Sequence, residues 1–197
     1  KAKLEIEIQK LIDQGLFYLR YTTGDPAENM RKKGVRIVAD YIRNYEGELA
    51  RLQFEPEKEF ETLVEYEGGD GGALISGAID IVRQDDPPRV TLIDFKSGEP
   101  ESDNHQKLTE EEMRLQVAIY GLAAKRELEY EPERGLVRYL DVKEGEPHEL
   151  PVPLDQEAIV DARQLVATTA GNIRDRSFKL GPRKQDGEEP RCGGCDS

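Results

Sequence analysis

An α/β domain with a helical lead-in is the fold class this sequence predicts, and three observations carry the prediction. Apolar residues recur at helical spacing at the start, alternate between Glu57 and Lys96, and return to helical spacing in two later stretches. The chain has 197 residues, enough for one ordinary domain with a real core. No internal repeat divides it, so one layered domain is the simplest arrangement.

The elements follow in order. Residues 3–20 form a helix, with Leu4, Ile8, Leu11, Ile12 and Leu19 mostly on one stripe. Thr22-Thr23-Gly24 breaks it. Asp25 serves as N-cap and Pro26 as first helical residue of a second helix to about Leu52. Strands are expected over 57–66, 73–83 and 89–96. The glycine-rich turn 67–72 joins the first two, and Gln84-Asp85-Asp86-Pro87-Pro88 joins the second and third. Together they make an antiparallel meander. Residues 97–108 read as a loop. Thr109 with Glu112 three residues on is a capping box for a buried helix to about Leu128. A strand over 135–142, a short strand near 149–152 that pairs with it, and a helix over 155–176 complete the order. The boundaries are therefore a lead-in over 1–52, a core over 53–180, and a polar tail over 181–197 that carries a cysteine pair.

Composition narrows the function. Net charge is −13, which counts against a broad basic face for DNA but not against carboxylates that meet phosphate through a metal ion. No apolar run approaches the ~18 residues of a membrane helix, and the charged, amphipathic start is not a secretory signal. The two cysteines, Cys192 and Cys195, leave the body of the chain without a disulfide framework. A cytoplasmic location is the expectation.

The chemistry concentrates on two strands. In Val90-Thr91-Leu92-Ile93-Asp94-Phe95-Lys96, alternate residues share a face, so Asp94 and Lys96 project together at the end of an apolar strand. In the preceding strand, Asp80 sits between Ile79 and Ile81, and an acid in so apolar a run is costly to bury unpaired. Two carboxylates and a lysine on neighbouring strands form a cluster that a hard divalent cation resolves, and the backbone carbonyl of Phe95 is a natural further oxygen ligand. A D-x-K triplet alone is more often a solvated strand edge. The combination with Gln116 and Tyr120, four apart on the following helix, is what shifts the balance.

Gly77-Ala78-Ile79-Asp80, Leu92-Ile93-Asp94-Phe95-Lys96-Ser97-Gly98 and Gln116-Val117-Ala118-Ile119-Tyr120 resemble the successive motifs of the PD-(D/E)XK nucleases. The similarity is to their RecB/AddB-like branch, which includes CRISPR-associated exonucleases, and it is strongest over 57–125. The resemblance implies a restriction-endonuclease-like core, a central mixed sheet flanked by helices. It implies Mg²⁺ or Mn²⁺ held by Asp80, Asp94 and the Phe95 carbonyl, with Lys96 orienting water, and Gln116 and Tyr120 as the motif on the helix. Glu59 resembles the acidic residue often found before the core, and a solvated strand residue is an equal reading. The implied activity is magnesium-dependent hydrolysis of DNA, exonuclease rather than endonuclease, in repair or recombination. A helicase domain or subunit is the implied partner. No phosphate-binding G-x-x-x-x-G-K-[ST] loop occurs, so the motor would lie elsewhere.

Two departures stand out. The family usually carries a metal-binding His on an N-terminal helix, yet this sequence has only His105 and His148, neither on such a helix. There is no initiator Met, and the expectation is that the helix with that His lies upstream of Lys1. Second, Cys192-Gly-Gly-Cys195-Asp196 resembles the branch's C-terminal cysteine motif, but a cluster normally needs four thiolates. An iron–sulfur or zinc site is expected only in a longer chain. The alternative function is an inactive module of the same fold that binds DNA or braces a helicase.

Overall fold

A computed structural model of the chain describes residues 2–16, 25–66, 71–96, 108–142 and 148–177. Two helices, α1 (Ala2–Leu16) and α2 (Asp25–Leu49), lead into the sheet. They pack on each other, with Ile8 buried and Ile12 brought close to Gly34. Asp25 is itself the first helical residue, not a cap outside the helix, so Pro26 takes the second position. The amides of a helix's first turn have no partner within the helix, and proline is tolerated there.

Five strands form one mixed sheet in the order β1-β2-β3-β4-β5. The first three, β1 (Gln53–Glu65), β2 (Gly72–Asp86) and β3 (Arg89–Lys96), are the expected antiparallel meander. Helix α3 (Glu110–Glu127) then crosses one face, and β4 (Glu131–Tyr139) returns parallel to β3. The last strand, β5 (His148–Pro153), is antiparallel to β4, and α4 (Gln156–Arg174) follows.

Three strands differ from expectation at their ends. Strand β1 starts at Gln53 despite Pro56, because β1 is an edge strand and a missing N–H can face outward there. Strand β2 runs to Asp86, leaving Pro87–Pro88, joined by a cis peptide, as the turn. Strand β4 begins at Glu131, not Gly135, and stops at Tyr139, not Val142. Its polar start has no alternation to read, yet it is held by position. The Glu131 amide donates to the Pro88 carbonyl at 2.9 Å, and Arg89 pairs with Glu133 at 3.3 Å.

The core lies between the sheet and α3. Ile79, Val82, Leu92, Val117, Ala123 and Val137 are completely or almost completely buried within it. Thr109 accepts from the Glu112 amide at 3.2 Å, and the Glu112 carboxylate accepts from the Thr109 amide at 2.7 Å, so the capping box starts α3 as expected. Gly135 lets the helix sit close. A Cβ on Gly135 would fall 2.3 Å from Val117 Cγ1.

Helix α2 covers the opposite face. Tyr45 interrupts its helical geometry at φ −113, ψ 16, and the last turn beyond it carries Glu48. One Glu48 oxygen, Oε2, accepts from Arg83 at 2.9 Å and from Arg138 at 2.8 Å. Both arginines are buried, at 5% and 1% exposure. The Arg138 guanidinium also lies 3.8 Å from the centroid of the Tyr45 ring and bonds Glu149 at 2.6 Å. These contacts fasten the helix to β2, β4 and β5.

Candidate active site

The motif side chains converge where β3 ends. The β2–β3 ladder stops at the Ile81–Ile93 pair, and beyond it the strands part. Asp80 bridges the gap, its Oδ2 accepting the Phe95 amide proton at 2.7 Å. Side chains alternate as expected. Asp94 and Lys96 face α3, whereas the Phe95 ring faces α2 and meets Tyr41 edge-on, with centroids 5.3 Å apart.

Asp94 is 1% exposed. Lys96 Nζ lies 2.7 Å from Asp94 Oδ2 as an ion pair, but the approach is off the angles of a hydrogen bond. That buried carboxylate oxygen is thus held by charge rather than by a well-directed hydrogen bond. Its burial raises the Asp94 pKa above the ordinary carboxylate value; Lys96 opposes the rise and Asp80 adds to it. A buried carboxylate needs positive charge beside it, which Lys96 supplies here and a metal ion would also supply.

Lys96 Nζ also donates to Gln116 Oε1 at 2.9 Å, and Gln116 Nε2 donates to the Tyr120 hydroxyl at 2.7 Å. The Tyr120 phenol faces the Asp94 carboxylate, which closes the ring of contacts. Burial pushes the Tyr120 pKa up to about 12, Gln116 works against it, and the charge of Asp94 adds to it, so the phenol keeps its proton. The i, i+4 spacing of Gln116 and Tyr120 places both on the sheet-facing side of α3. Phe60 of β1 supports Tyr120 through a ring contact at 6.0 Å.

Other expected residues lie elsewhere. Glu59 is exposed and alternates with buried Phe60, so it points away from the face that carries Gln116 and Tyr120. His148 is the first residue of β5, on no helix, with its ring edge-on to Tyr139 at 5.1 Å. His105, Cys192 and Cys195, and with them the loop and tail assignments, fall outside the described residues. The Glu48–Arg83–Arg138 network was missed by sequence reasoning. The signal existed, since Arg138 is a charge inside the apolar run Leu136-Val137, the pattern that singled out Asp80.

Among the described residues, no group of three or more His, Cys, Asp or Glu side chains converges on one point. The protein's share is thus two carboxylates and, on the same strand edge as the Phe95 amide, the Phe95 carbonyl. That donor set fits a hard divalent cation completed by water and phosphate oxygens, and Asp94 Oδ2, held to Lys96 by charge alone, is the buried anionic atom it would meet. No helix among the described residues is long and apolar enough to cross a membrane.

A family model of the PD-(D/E)XK nuclease superfamily matches residues 3–197, and the chain belongs to that superfamily. Its members generally use divalent metals, in keeping with this donor set. No curated protein matches the chain. Among solved structures, a protein of Eubacterium rectale named "Putative exonuclease" is similar, with a TM-score of 0.52 and 10% identity over 90% of this chain and 67% of that one. The protein SSO0001 is similar at a TM-score of 0.46 and 15% identity, over 93% of this chain and 72% of that one. At 10% identity the likeness to the Eubacterium rectale protein is one of fold.

Proposed function

We propose that the chain is a metal-dependent deoxyribonuclease domain of the RecB/AddB-like branch, acting as an exonuclease in repair or recombination beside a helicase. The observation that carries the reading is the buried Asp94 carboxylate, 2.7 Å from Lys96 and across from Asp80, with Lys96 tied in turn to Gln116 and Tyr120. The branch, the repair context and the helicase rest on the motif resemblance alone.

In this reading Asp80, Asp94 and the Phe95 carbonyl hold a Mg²⁺ or Mn²⁺ ion. The ion supplies Lewis-acid polarisation of the scissile phosphate. The remaining work falls to the side chains. Asp80, fixed by the Phe95 amide, sets the gap between the strands. Lys96 is held between Asp94 and Gln116, so its ammonium is aimed rather than free. There it orients the attacking water and offsets negative charge that develops on phosphorus-bound oxygens. Gln116 fixes Lys96, and Tyr120 fixes Gln116 while shielding Asp94 from bulk water.

The test is cleavage of end-labelled linear DNA with Mg²⁺ or Mn²⁺, beside calorimetric Mn²⁺ titration of the parent and of Asp80→Ala/Asp94→Ala. The expected result is cleavage lost in Asp80→Ala, Asp94→Ala and Lys96→Ala, with Mn²⁺ binding lost in the double variant. Cleavage that survives all three changes sinks the assignment. A second reading, an inactive module, draws on the carboxylate pair having no third acidic or imidazole partner among the described residues. It predicts that the parent binds Mn²⁺ no better than Asp94→Ala.

A further inference from the structure

One titratable aromatic side chain beside the site has no part in that mechanism. Lys96 on β3 is paired in register with Tyr139 on β4, and Tyr139 with His148 on β5. Paired residues share a sheet face. Neighbouring strands are ~4.8 Å apart, so the backbone of His148 stands about 10 Å from that of Lys96. On β5, Leu150 and Val152 of the same face pack against the core under α3. His148, beyond them at the strand's start, is left exposed.

The imidazole is anchored as well as exposed. The Tyr139 hydroxyl donates to Met113 Sδ at 3.4 Å, which pins the phenol ring against α3. His148 meets that ring at 5.1 Å with an interplanar angle of 75°. A cross-strand aromatic pair stabilises a sheet wherever it occurs. This one lies at the end of the strands that carries Asp94 and Lys96, and one of its members is open to solvent. The nearby carboxylates are already paired, Asp94 with Lys96 and Glu110 with Arg114, so the patch carries little net charge. A patch of that kind suits the uncharged face of a nucleobase better than a phosphate.

We infer that Tyr139 and His148 form a stacking platform for a base of single-stranded DNA, about two to three nucleotides from the scissile phosphate at the ~3.4 Å rise of a stacked strand. The inference rests on the nuclease reading for its substrate class. A single-stranded substrate suits it because an unpaired base presents its π-face without the cost of unstacking a duplex.

The chain contains no tryptophan, so His148→Trp introduces a sole tryptophan, which can be excited at wavelengths its eight tyrosines do not absorb. Titration of that variant with a ten-nucleotide dT strand in EDTA should quench its emission, whereas an abasic strand of equal length should not. In cleavage of the dT strand, His148→Ala should raise KM roughly tenfold with kcat nearly unchanged, and His148→Phe should restore KM. Absent quenching, equal quenching by the abasic strand, or an unchanged KM in His148→Ala each overturns the platform. Failure of the nuclease reading looks different: the parent then shows no metal-dependent cleavage. The quenching titration needs no cleavage and still decides the platform.

Discussion

Replacing Gly135 by alanine tests whether close packing of α3 on β4 sets the geometry of the site. The added Cβ would lie 2.3 Å from Val117 Cγ1, 3.2 Å from Val152 Cβ and 3.3 Å from the Val152 carbonyl oxygen. An ordinary carbon–carbon contact needs ~3.5 Å, so the helix must retreat by about 1 Å or Val117 must leave its rotamer. Overpacking of this kind costs roughly 1–3 kcal/mol. In a chain of this size that is a fall in Tm of about 2–12 °C. Val117 adjoins Gln116, whose 2.9 Å bond to Lys96 spans from helix to sheet. A retreat of about 1 Å takes that bond beyond hydrogen-bond reach, and a misplacement of such size can cost ~10²-fold in rate. The assay is a thermal melt paired with kcat and KM for cleavage of end-labelled DNA. The expected result is a lower Tm and a fall in kcat larger than the change in KM. A variant that melts with the parent and cleaves at the parental rate refutes the reasoning.

Other changes should separate fold from chemistry. Glu48→Gln should lower stability by about 1–3 kcal/mol near pH 7, below the range for a fully buried pair because the Glu48 side chain is 31% exposed. Burial works against ionisation of Glu48, but Arg138 and Arg83 prevail and its pKa is lowered. Its stabilisation is therefore complete above the unfolded value near ~4.3 and fades as pH falls through the lower folded value, so urea melts across this range should show a shallower acid loss in Glu48→Gln. Thr109→Ala removes the α3 cap and should cost about 1 kcal/mol in a urea melt, leaving Mn²⁺ affinity unchanged. Gly171→Ala should raise stability by roughly 0.5–1 kcal/mol in the same melt, since a Cβ there meets nothing within 4 Å and the backbone is helical.

The sequence was most legible where one period ran unbroken. Alternation placed β3 without error, and it put Asp94 and Lys96 on the face opposite Phe95. The capping box located the start of α3 to the residue. Boundaries failed where tertiary pairing, not local pattern, extends a strand. Glu131-Pro132-Glu133-Arg134 has no apolar alternation and becomes strand through its alignment with β3. For Glu59 the sequence leaves an acidic site residue and a solvated strand residue equally open, and the period that buries Phe60, Thr62 and Val64 turns it outward. The bridge from Asp80 to the Phe95 amide could not be read at all, because it depends on where two strands diverge.

The division of the site between the meander and the crossover helix has a kinetic consequence. Asp80, Asp94 and Lys96 sit on strands joined by hairpins, whereas Gln116 and Tyr120 arrive only when α3 docks and β4 pairs parallel to β3. Hairpin contacts form over short loops, and parallel pairing must first close a long one. The two acids are thus brought together early in refolding, uncovered, and the helix that aims Lys96 arrives late. Amide protection in β2 and β3 should precede that in β4, and recovery of cleavage in a refolding experiment should track the later of the two.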